Sequence, residues 1–169
     1  MEKIIYGVAD TLFGACTVAF SQDKVFSAGF YCDEKRTVEE IFRRVGKVVA
    51  ERDDLKATEI TQELLSNTGR VSLHPNGSEF QQKVWKALCE IPFGTTTAYS
   101  EIAAKIGKPK SIRAVANAIG TNPIALFIPC HRVIRIDGSL GGYRWGVDLK
   151  EKILEWEQST LKNGNNRQL

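Results

Sequence analysis

A thiol and an imidazole lie side by side in this 169-residue chain, at Cys130 and His131. The chain has only one other histidine, His74. A cysteine attacks as its thiolate, and a neighbouring imidazole is a common means of lowering the thiol pKa from its usual ~8.5. The pair therefore predicts an activated nucleophile. The alternative is a buried structural cysteine that precedes a histidine by chance.

Pro129 comes directly before this pair and removes a backbone donor, which disfavours a central strand. In a regular strand the side chains of Cys130 and His131 would also point to opposite faces of the sheet. We therefore expect a bent segment on which the two side chains meet, with a water molecule between them where they do not touch.

Length and composition predict a globular protein of one domain or two small ones, because 169 residues with 43% hydrophobic side chains can bury a core. The N-terminus lacks signal-peptide character and no run approaches the ~18 apolar residues of a membrane span, so we expect a cytoplasmic protein without a membrane partner. The four cysteines include no C-x-x-C pair, which argues against a structural zinc site and a disulfide framework.

The net charge of +3 conceals a difference between the two halves of the chain. Residues 1–80 carry 10 basic and 13 acidic side chains, a balance of −3, whereas residues 81–150 carry 10 basic and 4 acidic ones, a balance of +6. A basic half with interspersed tryptophan and tyrosine suits a polyanion such as nucleic acid, although a solvated surface would have the same composition.

The first half, residues 1–75, predicts a small sheet covered by one helix. Thr37 and Glu40 form a capping-box pattern, and the apolar spacing after them is that of an amphipathic helix. The segment His74–Gly77 marks a linker. Three β-type runs separated by turn residues predict an antiparallel meander: Lys3–Ala9, Cys16–Phe20 and Val25–Tyr31.

The second half, residues 76–162, predicts mostly helix. Ser78 and Gln81 form another capping box, and two short helices at Tyr99–Ile106 and Ser111–Ile119 have helix-turn-helix spacing. An αα corner in a hydrophobic core has the same spacing.

The second of these short helices should have two distinct faces. An apolar stripe predicts which side chains point inward: Ile112, Val115 and Ile119. The opposite face holds one cation and otherwise short side chains, which would let the helix lie close against DNA: Arg113, Ala114 and Asn117.

Glu157 lies on the last predicted helix at the flank of its apolar stripe, where a carboxylate needs a partner. His131 is one candidate, because an acid that orients an imidazole is the usual third member of an activated-nucleophile site. A surface ion pair with Lys150 or Lys162 is the alternative, and helix geometry alone favours it. Residues 163–169 are polar, and we expect them to form a disordered tail.

Six motifs, in order and at matching spacing, resemble those of the O6-alkylguanine-DNA alkyltransferases, also called methylated-DNA–protein-cysteine methyltransferases: Tyr99, Arg113, Asn122-Pro123, Ile128–Val133, Gly141-Gly142-Tyr143 and Glu157. The resemblance covers essentially the whole chain. It implies an α+β fold, in which a ribonuclease-H-like domain with a small sheet precedes a mostly helical, winged-helix-like domain with a helix-turn-helix.

The resemblance also implies a catalytic role for four side chains. Cys130 would attack the alkyl carbon of O6-alkylguanine and keep the alkyl group as a thioether, so that each molecule acts once. His131 would deprotonate Cys130 through a water molecule, with Glu157 holding its far nitrogen. Tyr99 would donate a proton or a hydrogen bond to the departing guanine.

Further residues would bind double-stranded DNA and the flipped base. The resemblance makes Arg113 the finger that fills the gap left by the flipped nucleotide, on a helix whose other DNA-facing residues are Ser111, Ala114 and Asn117. Asn122 would be the hinge before the active-site segment. The pocket would be formed by the carbonyl of Val133, the ring of Tyr143 and the amide of Arg144.

Two departures from the family pattern affect these expectations. The pocket loop has Arg144-Trp145 where some members have Ser-Gly or Ala-Gly, which would disfavour bulky alkyl groups. Cys16, Cys32 and His74 do not reproduce the zinc ligands of vertebrate members, so we expect no metal and no cofactor, in a protein that acts as a monomer.

Two other interpretations stay open at this point. A hydrolase with a Cys-His-Glu site, such as a cysteine peptidase, needs the same three groups but would turn over repeatedly. A helix-turn-helix protein that recognises alkylated DNA without repairing it, like the alkyltransferase-like proteins, would lack the reactive cysteine, which is present here.

Overall fold

The computed structural model describes residues 3–30 and 33–164, and this part of the chain has a mixed α+β fold with six α-helices. Contacts divide it into two units. The described part of unit 1 comprises residues 3–30, 33–76 and 123–125, and that of unit 2 comprises residues 77–122 and 126–164.

Unit 1 contains a five-stranded sheet in the order β4-β1-β2-β3-β5. Three long strands form the predicted antiparallel meander: β1 (Ile4–Thr11), β2 (Gly14–Ser21) and β3 (Lys24–Gly29). Two short strands extend it by parallel pairing, β4 (Ala50–Arg52) beside β1 and β5 (Ser72–Leu73) beside β3. These edge strands are too short to be recognised from residue type.

Helices cover both faces of this sheet. Ile4 and Tyr6 of β1 pack with Ile41 of helix α1 (Glu34–Val45). Gly7 points to the other face, where a Cβ atom would lie 2.6 Å from the carbonyl oxygen of Asp53, at the start of helix α2 (Asp54–Ser66). The alternation of side chains along β1 thus places one helix on each face.

Two sequence predictions for unit 1 are wrong. The N-cap of α1 is Asp33, which accepts a hydrogen bond from the backbone of Arg36, so Thr37 and Glu40 lie inside the helix and are buried. The second error is the number of helices, because the sequence predicted one helix in this unit and the structure contains α2 as well. Its signals were a capping aspartate, Asp53, followed by residues at helical spacing, of which Ala57 and Thr61 are buried and Ile60 and Leu64 half-buried.

In unit 2 the predicted capping box of Ser78 and Gln81 is present and opens helix α3 (Glu79–Cys89). The helix-turn-helix pair follows as α4 (Tyr99–Lys105) and α5 (Ile112–Gly120). Trp85 is fully buried, and its indole N–H donates to the carbonyl of Ala118, which ties α3 to α5. Strands β6 (Thr97–Ala98) and β7 (Val133–Ile134) pair in parallel, and helix α6 (Val147–Lys162) is the last element.

The inward stripe predicted for α5 is wrong at one position. Val115 and Ile119 are buried, but Ile112 in the first turn is 42% exposed, and Ala118 takes its place in the core. The first turn of a helix has fewer neighbours to cover it than the middle. Of the expected tail, Asn163 and Gly164 form a turn, and residues 165–169 lie outside the described part.

None of the helices in the described ranges is long and apolar enough to cross a membrane.

Candidate active site

The segment that carries Cys130 is bent, as predicted, and all of its site residues lie in unit 2. Cys130 donates its backbone N–H to the carbonyl of Ile128, and residues Cys130–Arg132 form a single 3-10 turn that ends where β7 begins. Pro129 precedes the turn with φ −79° and ψ 61°. The turn buries the side chains of both Cys130 and His131.

The thiol of Cys130 is held by Asn122. The Asn122 side-chain amide lies 3.2 Å from Sγ and also donates to the carbonyl of Ile128 at 2.9 Å. Burial raises the pKa of Cys130 to about 11, although the hydrogen bond from Asn122 and the charge of Lys150 act in the opposite direction. The expectation of a thiol pKa lowered by the adjacent imidazole is therefore wrong. In the free protein at neutral pH, Cys130 is therefore mostly a protonated thiol.

His131 is bound to α6 through one of its two ring nitrogens. Its Nε2 lies 2.9 Å from Oε1 of Glu157, and both side chains are buried. A carboxylate only accepts hydrogen bonds, so Nε2 carries the proton and Nδ1 is the basic nitrogen of the neutral ring. Nδ1 is buried without a hydrogen-bond partner among the described residues. Burial lowers the pKa of His131, and the hydrogen bond that Nε2 donates to Glu157 opposes that shift only in part.

Glu157 has more partners than the sequence suggested. The Nε of Arg132 lies 3.1 Å from both carboxylate oxygens, and the backbone N–H of Gly94 donates to Oε2 at 3.2 Å. Burial alone would raise the pKa of Glu157, but the hydrogen bonds from His131 and Arg132 outweigh it and lower the pKa to about 2. Glu157 is therefore a carboxylate at any physiological pH.

Lys150, the alternative partner for Glu157, is fully buried and donates to three backbone carbonyls instead. Its Nζ lies 2.7 Å from the oxygen of Val133, 2.6 Å from that of Leu140 and 3.2 Å from that of Gly142. Burial lowers the pKa of Lys150 to about 8. This ammonium ties the strand after Cys130 to the glycine-rich loop.

The same loop passes close to Tyr99, which begins α4. Gly141 has φ +72°, which strains any residue with a side chain, and a Cβ atom there would lie 2.9 Å from the Tyr99 hydroxyl and displace it. Burial raises the pKa of Tyr99, and the charge of Cys130 adds to that shift. Tyr99 consequently stays a phenol that can donate a hydrogen bond.

Arg144 of the loop folds back onto Asn122, to whose carbonyl it donates at 3.1 Å. Its guanidinium lies 5.4 Å from the ring centre of Trp145, which meets Tyr143 edge-on at 5.3 Å. Asn122 thus contacts the thiol with its amide and the loop with its carbonyl. Cys130, Asn122 and the loop form one hydrogen-bonded group.

Known proteins similar to this chain belong to one family. Residues 79–159 match the family described as 6-O-methylguanine DNA methyltransferase, DNA binding domain. The inducible methylated-DNA–protein-cysteine methyltransferase of Bacillus subtilis (strain 168) is 43% identical over 139 residues, covering 76% of this chain and 78% of that protein. This chain belongs to the methylated-DNA–protein-cysteine methyltransferases. That family membership is the one the sequence resemblance predicted.

Solved structures of the same family resemble this chain in fold. The crystal structure of Mycobacterium tuberculosis OGT in complex with DNA has a TM-score of 0.73 and 34% identity to this chain, covering 92% of it and 93% of that chain. The Methanosarcina barkeri methylated-DNA–protein-cysteine methyltransferase is 55% identical over 92 residues, 54% of this chain. The present chain spans 58% of the length of that relative.

The helix-turn-helix of this methyltransferase-family chain carries the residues predicted to meet DNA. Arg113, Ala114 and Asn117 are exposed on α5, and Ser111 precedes its first residue, half-buried. The structure groups these four on one element. It groups the predicted nucleophile, base, acid and hinge around the 3-10 turn.

Arg132 and Lys150 are the site residues that sequence reasoning missed. Arg132 is part of the Pro-Cys-His-Arg-Val motif, so its place in the signature was the available signal. Lys150 lies in the first turn of α6, next to Val147, Asp148 and Leu149, and nothing in residue type distinguishes it from a solvated lysine.

No group of three or more His, Cys, Asp or Glu side chains in the described ranges could hold a metal ion. Of the residues weighed as zinc ligands, Cys16 is buried in β2, His74 is exposed after β5, and Cys32 lies outside the described part.

Proposed function

We propose that this protein repairs double-stranded DNA by moving the alkyl group of O6-alkylguanine onto Cys130, once per molecule. The observation that carries the proposal is the Cys130 thiol held by Asn122 beside a buried pair, His131 and Glu157, in a chain of the methyltransferase family. The finer architecture belongs to the same proposal, with a ribonuclease-H-like unit 1 and a winged-helix-like unit 2.

The reaction is a displacement at carbon. Sγ of Cys130 forms a bond to the alkyl carbon while the bond from that carbon to O6 breaks, and the thiol proton leaves for Nδ1 of His131 through a bridging water. The nitrogen that accepts it is the unprotonated one, because Nε2 is held by Glu157. Since burial raises the thiol pKa to about 11, Cys130 still carries its proton in the free protein, and His131 has to accept that proton for the attack.

The departing guanine takes up negative charge that the site must offset. The Tyr99 phenol, kept protonated by burial, donates to the leaving base. The carbonyl of Val133 has a second lone pair beside the one used by Lys150, and it accepts from the exocyclic amine of the guanine. Tyr143 and the amide of Arg144 complete the pocket, and the Arg144-Trp145 pair disfavours bulky alkyl groups.

The product explains why the protein acts once. A thioether has no good leaving group, so no group in the site can regenerate the thiol. The proposal includes action as a monomer, because one chain supplies nucleophile, base and acid. It also includes a cytoplasmic location, where a reducing environment keeps a cysteine free.

Intact-protein mass spectrometry after incubation with DNA that contains O6-methylguanine tests the proposal. We expect a gain of one methyl group, located on Cys130 by peptide mapping. Repeated turnover of substrate would favour a hydrolase, and binding of the alkylated DNA without any mass gain would favour a non-repairing sensor.

DNA binding should depend mainly on unit 2 and on phosphate contacts. We expect the logarithm of the affinity to fall linearly with the logarithm of the salt concentration, because each neutralised phosphate releases counterions. Lys110→Gln, next to α5, should make the slope shallower by about 1, whereas Lys35→Gln on α1 should leave it unchanged. An affinity that does not depend on salt would contradict this prediction.

Arg113→Ala should slow repair of duplex DNA by about 10- to 100-fold, because a flipped nucleotide costs a few kcal/mol to hold out of the stack. The rate with the free base O6-methylguanine should stay near that of the unsubstituted protein, since no duplex has to be opened. Lys83→Ala removes one positive charge from unit 2 without touching α5 and is the matched control. Equal losses on both substrates would show that Arg113 serves the pocket or the fold.

A further inference from the structure

Arg132, for which the proposed chemistry has no role, makes the most extensive contacts in the site. Its Nη2 lies 2.8 Å from Oε1 of Glu157, in addition to the two contacts from Nε, and its Nη1 donates to the carbonyl of Ile91 at 2.8 Å. The guanidinium also lies 5.5 Å from the ring centre of Phe93. A forked arginine contact of this kind fixes a carboxylate in place and compensates its charge.

This contact changes what Glu157 does to His131. A lone carboxylate beside an imidazole stabilises the imidazolium and would make the ring a cation at neutral pH. Here the negative charge is already shared with Arg132, and the ring itself is removed from water. Arg132 and Lys150 also act directly on the ring, and both lower the pKa of His131.

A base must be unprotonated before it can act. An imidazolium in this place would have no lone pair on Nδ1, and the Cys130 proton would have no acceptor on that side. The Glu157 carboxylate is needed to fix the tautomer, yet its charge works against the neutral ring. The two demands are compatible only if a cation compensates the carboxylate.

We propose that Arg132 is a positioning residue that keeps His131 neutral, and so able to accept the Cys130 proton, by compensating the charge of Glu157. This inference rests on the proposed alkyl transfer. Among the described residues, Glu157 and Lys150 of α6 and Arg132 of the same turn act on His131. Cys130 precedes it in that turn, and Cys89 at the end of α3 lies near Arg132.

Imidazole nitrogen NMR tests the inference without reference to activity. The chain has two histidines, so His74→Gln assigns both signals. In the unsubstituted protein we expect His131 to be neutral at pH 7, protonated on Nε2, with a titration midpoint below that of an ordinary histidine. Arg132→Gln should move the midpoint to higher pH, and the acid limb of the rate of transfer to Cys130 should move in the same direction.

Two further variants separate charge compensation from folding. Arg132→Lys keeps a positive charge but cannot contact both carboxylate oxygens of Glu157 through two nitrogens. The His131 midpoint in this variant should lie between those of the unsubstituted protein and the glutamine variant. Lys83→Gln removes a distant charge of unit 2 and should leave the midpoint unchanged. An unchanged midpoint in folded Arg132→Gln would overturn the inference. Should the glutamine variant not fold, the tautomer and the midpoint of His131 in the unsubstituted protein decide it.

The unsubstituted protein also provides a test of its own. A His131 that carries its proton on Nδ1, or that titrates above the ordinary histidine range, contradicts the inference. Absence of alkyl transfer in the unsubstituted protein would overturn the proposed function alone, because the NMR midpoints do not depend on it.

Discussion

Cys130→Ala is expected to abolish alkyl transfer completely, while the unsubstituted protein accepts one alkyl group per molecule and then stops. Alanine removes the only atom in the site that can form the thioether bond. The expected time course of the unsubstituted protein is a burst equal to the protein concentration with no later phase. Quenched-flow transfer from labelled DNA, followed by mass spectrometry, measures both the size of the burst and the labelled residue.

The other cysteines serve as controls for this prediction. Cys89 is at the exposed end of α3, and Cys89→Ala should keep the full burst. Burial raises the pKa of Cys16 to about 12, so its thiol is inert and should carry no label. A Cys130→Ala protein that still takes up one equivalent would show that the nucleophile has been assigned to the wrong residue.

Glu157→Ala should lower the free energy of unfolding by about 3–5 kcal/mol, because removing one member of a buried ion pair leaves the other charged and unpaired. Arg132 would lose three of its hydrogen bonds, and the backbone N–H of Gly94 would lose its acceptor. Urea unfolding at pH 7 measures the loss. Glu151→Ala, on the exposed side of the same helix, should change stability by no more than about 0.5 kcal/mol.

We also expect the free energy of unfolding to fall in acid because of Glu157. The pKa of Glu157 is about 2 in the folded protein and about 4.5 when unperturbed, so the folded state binds its proton less readily than the unfolded state. Its contribution to stability is complete above about pH 4.5 and disappears as the pH falls through about 2. Glu157→Ala should therefore flatten the acid limb of the stability profile, and an unaltered limb would show that other carboxylates govern it.

Local sequence patterns were sufficient for much of unit 2. The Ser78 and Gln81 capping box depends on residues within one helical turn of each other, so their types alone identify it. The Cys130 and His131 pair was visible for the same reason. Patterns of this kind failed at Thr37 and Glu40, where an aspartate four residues earlier forms the cap instead.

The arrangement around Glu157 was beyond the reach of such patterns. The sequence favoured a surface ion pair with Lys150 or Lys162, because both lie on the same helix as Glu157. The fold instead brings His131 and Arg132 to this carboxylate from 26 and 25 residues away. The fold likewise buries Lys150, whose ammonium group donates hydrogen bonds to three backbone carbonyls.

These contacts form because a packed interior removes water from charged groups and leaves them only one another, or the backbone, as partners. The thiol pKa follows the same rule, since burial raises it where the adjacent imidazole was expected to lower it. Residue types therefore identified the family and pointed to the candidate nucleophile. The protonation state of each group depends on burial and on distant partners, which exist only once the chain has folded.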